Sequence, residues 1–327
     1  MITNTDTEFF APLIEYLKAV PFDVSRKKLY NAADLYEGYD PQKPETFETC
    51  FDTCVYKHFM SKGKITSDIK ESVARISHDH RMYIALGEFF RVHNFLNFVG
   101  VMGGHTLLRT DEMYRQIVFL SKRLTELGFF MLSGGGPGAM EATHLGAWMA
   151  GYSDKDVEDA LKIVSDAPSF RDCEWLRTAF EVMRKYPQEK YESLGIPTWL
   201  YGHEPPTPLA THVVKFFDNS IRENAVLTLS FGGIIYTPGS AGTIQEIFQN
   251  AVQNHYLSLG FSSPMIFLGE NFWTNEVPIY PLLQHMEKNG QYKNLNLSLT
   301  DDFEEIMHTL VDFQENAKAH PEEYTLR

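Results

Sequence analysis

Thr237-Pro238-Gly239-Ser240-Ala241-Gly242-Thr243-Ile244-Gln245-Glu246 separates an apolar run ending Gly233-Ile234-Ile235-Tyr236 from a segment with helical periodicity. Apolar strand, small-residue turn and helix start together describe a βα step of a parallel sheet. Small residues in the turn let backbone N–H groups approach an anion, and the helix start adds its positive end. Pro238 sets the strand exit, Gly239 and Gly242 permit unusual dihedrals, and Ser240 and Thr243 offer hydroxyls. Ile244, Ile247, Phe248, Ala251 and Val252 mark the helix's buried face, with Gln245, Glu246, Gln249 and Gln253 mainly off it. Glu246 therefore starts near the mouth of the turn. A first-turn carboxylate is also favoured by the helix dipole without any ligand. An anion cradle beside an acid points to chemistry on a sugar phosphate or a nucleotide.

The same alternation extends outward from this unit. Apolar runs at Phe95–Met102, Phe129–Leu132, Ile196–Tyr201, Gly233–Tyr236 and Pro264–Leu268 predict strands. Between the first two, Met113, Ile117, Leu120, Leu124 and Leu127 predict an amphipathic helix that Gly128 ends in a left-handed turn. A helix over Asp302–Phe313 closes the chain, and a charged helical insertion is expected around 153–194. Residues 1–94 differ in texture. Phe9–Ala19 and Glu45–Met60 carry helical spacing, and the prolines of the turn-rich stretch 36–44 interrupt any helix between them. This predicts a helical N-terminal extension, residues 1–94, packed on an α/β domain spanning 95–327.

A second glycine-rich turn, Ser133-Gly134-Gly135-Gly136-Pro137-Gly138, follows the Phe129–Leu132 strand and leads into a helix from Ala139. That context suits phosphate or ribose binding, and a ligand-free tight turn suits it too. Gly134, Gly136 and Ala139 satisfy the loose G-x-G-x-x-A form of a dinucleotide fingerprint, with Asp154 or Asp156 at a tolerable distance for a ribose contact. Nothing else supports an NAD-type oxidoreductase. Neither turn is followed by a Walker lysine, which argues against an NTP-hydrolysing P-loop.

With both turns in view, residues 95 to about 313 resemble the Lonely Guy (LOG) family, often misnamed lysine decarboxylases. Gly134-Gly135-Gly136-Pro137-Gly138-Ala139-Met140-Glu141-Ala142 is similar to its G-G-G-P-G-x-M-E-A segment, and Pro238 to Glu246 to its P-G-G-x-G-T-x-x-E signature. The resemblance implies a Rossmann-like doubly wound parallel sheet and hydrolysis of a nucleoside 5′-monophosphate to free base and ribose 5-phosphate. It further implies Glu246 and Arg222 as catalytic residues. Gly134, Gly135, Gly136, Gly138, Met140, Gly239, Ser240, Ala241, Gly242 and Thr243 would hold the nucleotide. A homodimer or higher homo-oligomer is implied as well, with no cofactor and no metal. Ser240 replaces a signature glycine, and Arg222-Glu223 stands where the family commonly carries Arg-Lys. Arg222 lies one residue further from Pro238 than usual, and a gapless alignment would put Glu223 in its place. A non-catalytic nucleotide sensor or carrier on the same fold is the alternative.

Other positions carry weaker signals. Gly103, Gly104 and Arg109 follow the first strand and can line the same pocket, or serve as turn glycines and a surface arginine. His203, after a predicted strand, can contact or protonate a leaving base, or be a loop histidine held by proline geometry. Cys50, Cys54 and His58 share a predicted helical face, but no fourth zinc ligand is evident, and buried cysteines are the plainer reading. His78 and His80 flank Asp79 in a polar stretch that suits solvated or capping roles. A net charge of −14 argues against a nucleic-acid partner. The N-terminus lacks signal-peptide features, no apolar stretch is long enough for a bilayer, and three cysteines make no disulfide framework. A cytoplasmic protein without a membrane partner is the expectation.

Overall fold

The computed structural model describes residues 4–326. Four N-terminal helices come first: α1 (Asn4–Ala19), α2 (Ala32–Leu35), α3 (Phe51–Lys62) and α4 (Ile69–Phe90). The sheet then begins with β1 (Phe98–Met102), α5 (Glu112–Glu126), β2 (Phe130–Ser133) and α6 (Ala139–Trp148). Helices α7 (Asp154–Ser165) and α8 (Trp175–Lys185) fill the insertion before β3 (Ser193–Gly195) and β4 (His212–Val213). Next come α9 (Asn219–Thr228), β5 (Gly233–Tyr236), α10 (Ala241–His255) and β6 (Pro264–Leu268). The chain closes with α11 (Ile279–Lys288), β7 (Asn296–Thr300) and α12 (Phe303–Ala319).

All pairings within the seven-stranded sheet are parallel, in the order β4-β3-β2-β1-β5-β6-β7. Successive residues of β1 point to opposite faces, so Val99 and Val101 pack with α5, α6 and α12. Phe98 and Met102 pack instead with α3, α4, α9 and α10. Helices on both faces make this a doubly wound, Rossmann-like α/β fold. The order reverses between β1 and β5. There the helix after β1 goes to one face and the helix after β5 to the other, opening a crevice at the carboxyl ends of these strands.

Local chemistry sets several boundaries. Gly128 adopts φ +95° at the end of α5, where a left-handed residue was expected. Ser153 and Asp156 form a capping box at the start of α7. Strand β3 ends at Gly195, so the strand expected at Ile196–Tyr201 is displaced. Pro197 follows within two residues, and Trp199–Tyr201 form a 3₁₀ turn with Thr198 as cap. In α10, the expected apolar stripe is shifted: Val252 is exposed, whereas Asn250, Gln253 and Asn254 are buried. Asn254 answers the cost of polar burial by bonding both ways with the Ser263 backbone, at 2.9 and 3.1 Å.

The N-terminal helices share one core with the sheet rather than forming a separate body. Tyr30 pairs antiparallel with Val213 at the sheet's edge. Buried Asp52 accepts hydrogen bonds from Lys215 Nζ (2.6 Å) and Trp199 Nε1 (3.0 Å). Burial lowers the Lys215 pKa, and Asp52 offsets part of that cost. Asp79 and His78 are buried, not solvated. Asp79 accepts N–H groups from Phe217 (3.0 and 3.1 Å) and Asp218 (2.9 Å), and thereby holds the entry to α9. His78 bridges Asp79 and the Tyr30 hydroxyl. The cysteine stripe does not form, because Cys50 precedes α3 in extended conformation and Cys54 is exposed. His58 pairs instead with Glu71 at 3.0 Å.

Candidate active site at the strand-order switch

Three turns meet above β2, β1 and β5. Gly104 N–H donates to the Pro238 carbonyl (3.2 Å), and the Gly104 carbonyl accepts from Ala139 N–H (3.1 Å). The backbone after β1 is thus clamped between both glycine-rich turns. Gly103 has no room for a side chain: an added Cβ would lie 2.0 Å from Thr237 Oγ1. Gly138 needs its freedom at φ +71°, where a Cβ would also strike the Gly104 carbonyl at 2.3 Å. These glycines bring the turns together.

Arg222 joins them from α9. A Cβ on Gly134 would sit 2.0 Å from Arg222 Nη2, so the bare backbone makes the space the guanidinium occupies. Its Nε donates to the Ile196 carbonyl at 2.9 Å, and Nη2 lies 4.0 Å from Met140 Sδ. Among the described residues no carboxylate lies within 4 Å of it. Glu223 turns elsewhere, accepting from Asn219 Nδ2 (2.5 Å) and Gln245 Nε2 (3.0 Å). Of the two neighbours it is therefore Arg222 that overlies the first glycine-rich turn.

The second turn supplies the helix end. Ser240, Ala241 and Gly242 are exposed at the tip, and the Ser240 side chain does not cap α10. The first-turn N–H groups have no helical partner by geometry and offer an anion site. Neither Gly239 nor Gly242 uses a left-handed conformation, contrary to the sequence expectation. Gly239 is small because Thr243 Oγ1 would meet its Cβ at 2.2 Å, while the space around Gly242 is open.

Glu246 is half-buried on α10. Desolvation by the surrounding protein pushes its pKa up to about 7, Arg222 pulls it down, and Glu223 pushes it up. Neutrality thus falls within its titration range, as suits a general base. The same shift has a stability consequence. The folded chain holds this proton more tightly than the unfolded chain, so the group's stabilising contribution is complete in acid. It is lost as pH rises from the ordinary carboxylate range to about 7. Glu246→Gln is expected to remove that slope, raising the melting temperature relative to wild type at pH 8 more than at pH 5. Calorimetry at the two pH values checks it.

Two other expected contacts fall differently. Arg109 is not at the pocket surface. It is buried in a bidentate pair with Glu141, at 2.6 and 2.9 Å, because α7 and α8 close over it. His203 is exposed, its Nε2 3.7 Å from Glu204 Oε1. Sequence reasoning passed over three neighbours. His105 follows Gly104 directly and lies 3.6 Å from Glu204 Oε1. Ser133 Oγ accepts the Gly135 N–H (3.1 Å) and bonds His144 Nε2 (2.9 Å), whose Nδ1 meets Ser193 Oγ (2.9 Å). Burial pushes His144 down to about 3, so it stays neutral and braces the first turn. Only the position of Ser133 at a strand end could have signalled this. A cavity of about 1170 Å³ lies elsewhere: it runs between α4 and α9, lined by Ile76, Tyr83, Ile221 and Asn224.

No protein-family model matches the chain, and no curated protein matches its sequence. Among solved structures, the chain is similar to the molybdenum cofactor binding protein from the phototrophic bacterium Rippkaea orientalis. That match has 15% identity and a TM-score of 0.42, and covers 66% of this chain and 96% of that one. It is also similar to the Moco Carrier Protein of Chlamydomonas rheinhardtii, with 14% identity and a TM-score of 0.41, covering 67% and 97%.

Proposed function

We propose that this chain hydrolyses the N-glycosidic bond of a nucleoside 5′-monophosphate, as its resemblance to the LOG family implies. The supporting observation is the convergence of Arg222, the two glycine-rich turns and the near-neutral carboxyl of Glu246 at one crevice. The 5′-phosphate would sit on the start of α10, against Gly239, Ser240, Ala241, Gly242 and Thr243. Arg222 would contribute the cationic contact, with Gly134, Gly135, Gly136 and Gly138 approaching from the facing turn and Met140 packed beneath. Breaking the bond builds positive charge on the ribose ring, as in glycoside hydrolysis. Ionised Glu246 would stabilise that charge and take the proton from the attacking water, whose oxygen bonds to C1′ as the C1′–N bond breaks.

Incubation with a panel of nucleoside monophosphates tests this reading. Free base and ribose 5-phosphate are the expected products. Binding without turnover would favour a nucleotide sensor or carrier, the reading that Glu223 in place of the family's lysine suits. Ile76 and Tyr83 on α4 and Ile221 on α9 expose apolar side chains on the walls of the large cavity. In our reading this face is covered by a second copy of the chain, so a solution mass of twice 37.5 kDa or a higher multiple is expected. Light scattering during size-exclusion chromatography measures it.

A further inference from the structure

The contact between His105 and Glu204 has a position that the topology makes informative. His105 belongs to the turn after β1, whereas Glu204 belongs to the segment after β3, and β2 lies between those strands. Their 3.6 Å approach therefore passes over the first glycine-rich turn, which emerges from β2. The Glu204 segment is anchored there, since Thr207 N–H donates to the Gly135 carbonyl at 2.9 Å. On its other flank His105 adjoins Gly104, whose N–H bonds Pro238 of the second turn. His105 thus stands at the junction of both turns.

The side chains at this junction are only loosely engaged. The Glu204 side chain is 17% exposed, and its Oε1 faces two imidazoles, His105 at 3.6 Å and His203 at 3.7 Å. Both distances exceed a normal hydrogen bond, leaving room for the pairs to tighten around a bound ligand. The His105 side chain is 41% exposed and lies edge-on to Phe170, with ring centroids 6.3 Å apart. With Nε2 turned toward the carboxylate, His105 Nδ1 has no hydrogen-bond partner among the described residues.

We propose that His105 is the acid that protonates the departing base, and that Glu204 is the residue that positions it. This rests on the hydrolytic reading above. As the C1′–N bond breaks, its electron pair passes to the base, and the proton on His105 Nδ1 moves to a ring nitrogen of that base. The attacking water gives its proton to Glu246 as its oxygen bonds C1′. Proton exchange with solvent then restores both side chains, and no oxidant or further reactant is needed.

A pair of substrates isolates the role: the nucleoside monophosphate that wild type cleaves fastest, and p-nitrophenyl ribofuranoside 5-phosphate. The nitrophenolate leaves as a stable anion and needs no acid. His105→Ala is expected to slow base release by about 10²–10⁴-fold. The nitrophenyl substrate should stay within about fivefold of wild type. Glu204→Gln should show a smaller loss with the same selectivity, whereas a merely structural bridge would depress both substrates alike. Melting temperatures of the variants identify any loss caused by misfolding, and His105→Gln supplies a bulkier second variant. Equal losses on both substrates, or no loss on either, would overturn the proposal while leaving the hydrolytic reading in place. A wild type that cleaves neither substrate would overturn both.

Discussion

Glu246→Gln is expected to slow base release by about 10²–10⁴-fold while changing nucleotide affinity by only a small factor. Glutamine keeps the volume and packing of the side chain, so the first turn of α10 and its exposed N–H groups remain in place. Arg222 also stays, held by the Ile196 carbonyl rather than by Glu246. The substitution removes the negative charge that would face the ribose and the basic oxygen that would take the water's proton. An effect concentrated in kcat, with binding retained by calorimetric titration, is the signature of an interaction made in the transition state. In the wild type, activity should rise as Glu246 ionises around pH 7. Unchanged turnover in the variant would remove Glu246 from the mechanism.

What the sequence revealed of this site follows how locally its parts are encoded. Strands β5 and β6 run over the expected residues, Gly233–Tyr236 and Pro264–Leu268, because each is an apolar run bounded by turn residues. Strand β4 has only two residues, and β7 mixes Asn296, Ser298 and Thr300 with leucines, so neither carries that signal. The two glycine-rich turns were legible because each motif lies within one strand–turn–helix step. The role of Arg222 was ambiguous in sequence, since one residue of register exchanges it with Glu223. Only the packing of α9 against Gly134 and α10 separates them. His105 and Glu204 lie 99 positions apart, and no periodicity announces such a pair. Arg109 failed for the same reason, because its partners lie far along the chain.

Arg109→Met is expected to destabilise the protein by about 3–5 kcal/mol, because it strands a buried carboxylate. Glu141 is inaccessible to solvent, and its remaining partner would be the Tyr114 hydroxyl at 3.0 Å. Arg109 also donates to the carbonyls of Val164 (3.2 Å), Ala167 (3.1 Å) and Trp175 (3.0 Å) and to Thr178 Oγ1 (2.8 Å). These acceptors lie on α7, α8 and the segment joining them, so the guanidinium ties the insertion to α6. Burial opposes its charge most strongly, yet the Glu141 carboxylate still holds its pKa above the ordinary arginine value. Removing both charges should cost less than removing one. Arg109→Met combined with Glu141→Leu fills the space with apolar groups and leaves no unpaired ion, so it should recover much of the loss. Denaturant unfolding of the two single variants and the double variant measures this coupling. If Arg109→Met instead left stability intact and weakened nucleotide binding, the guanidinium would belong to the pocket, as its place after β1 had suggested.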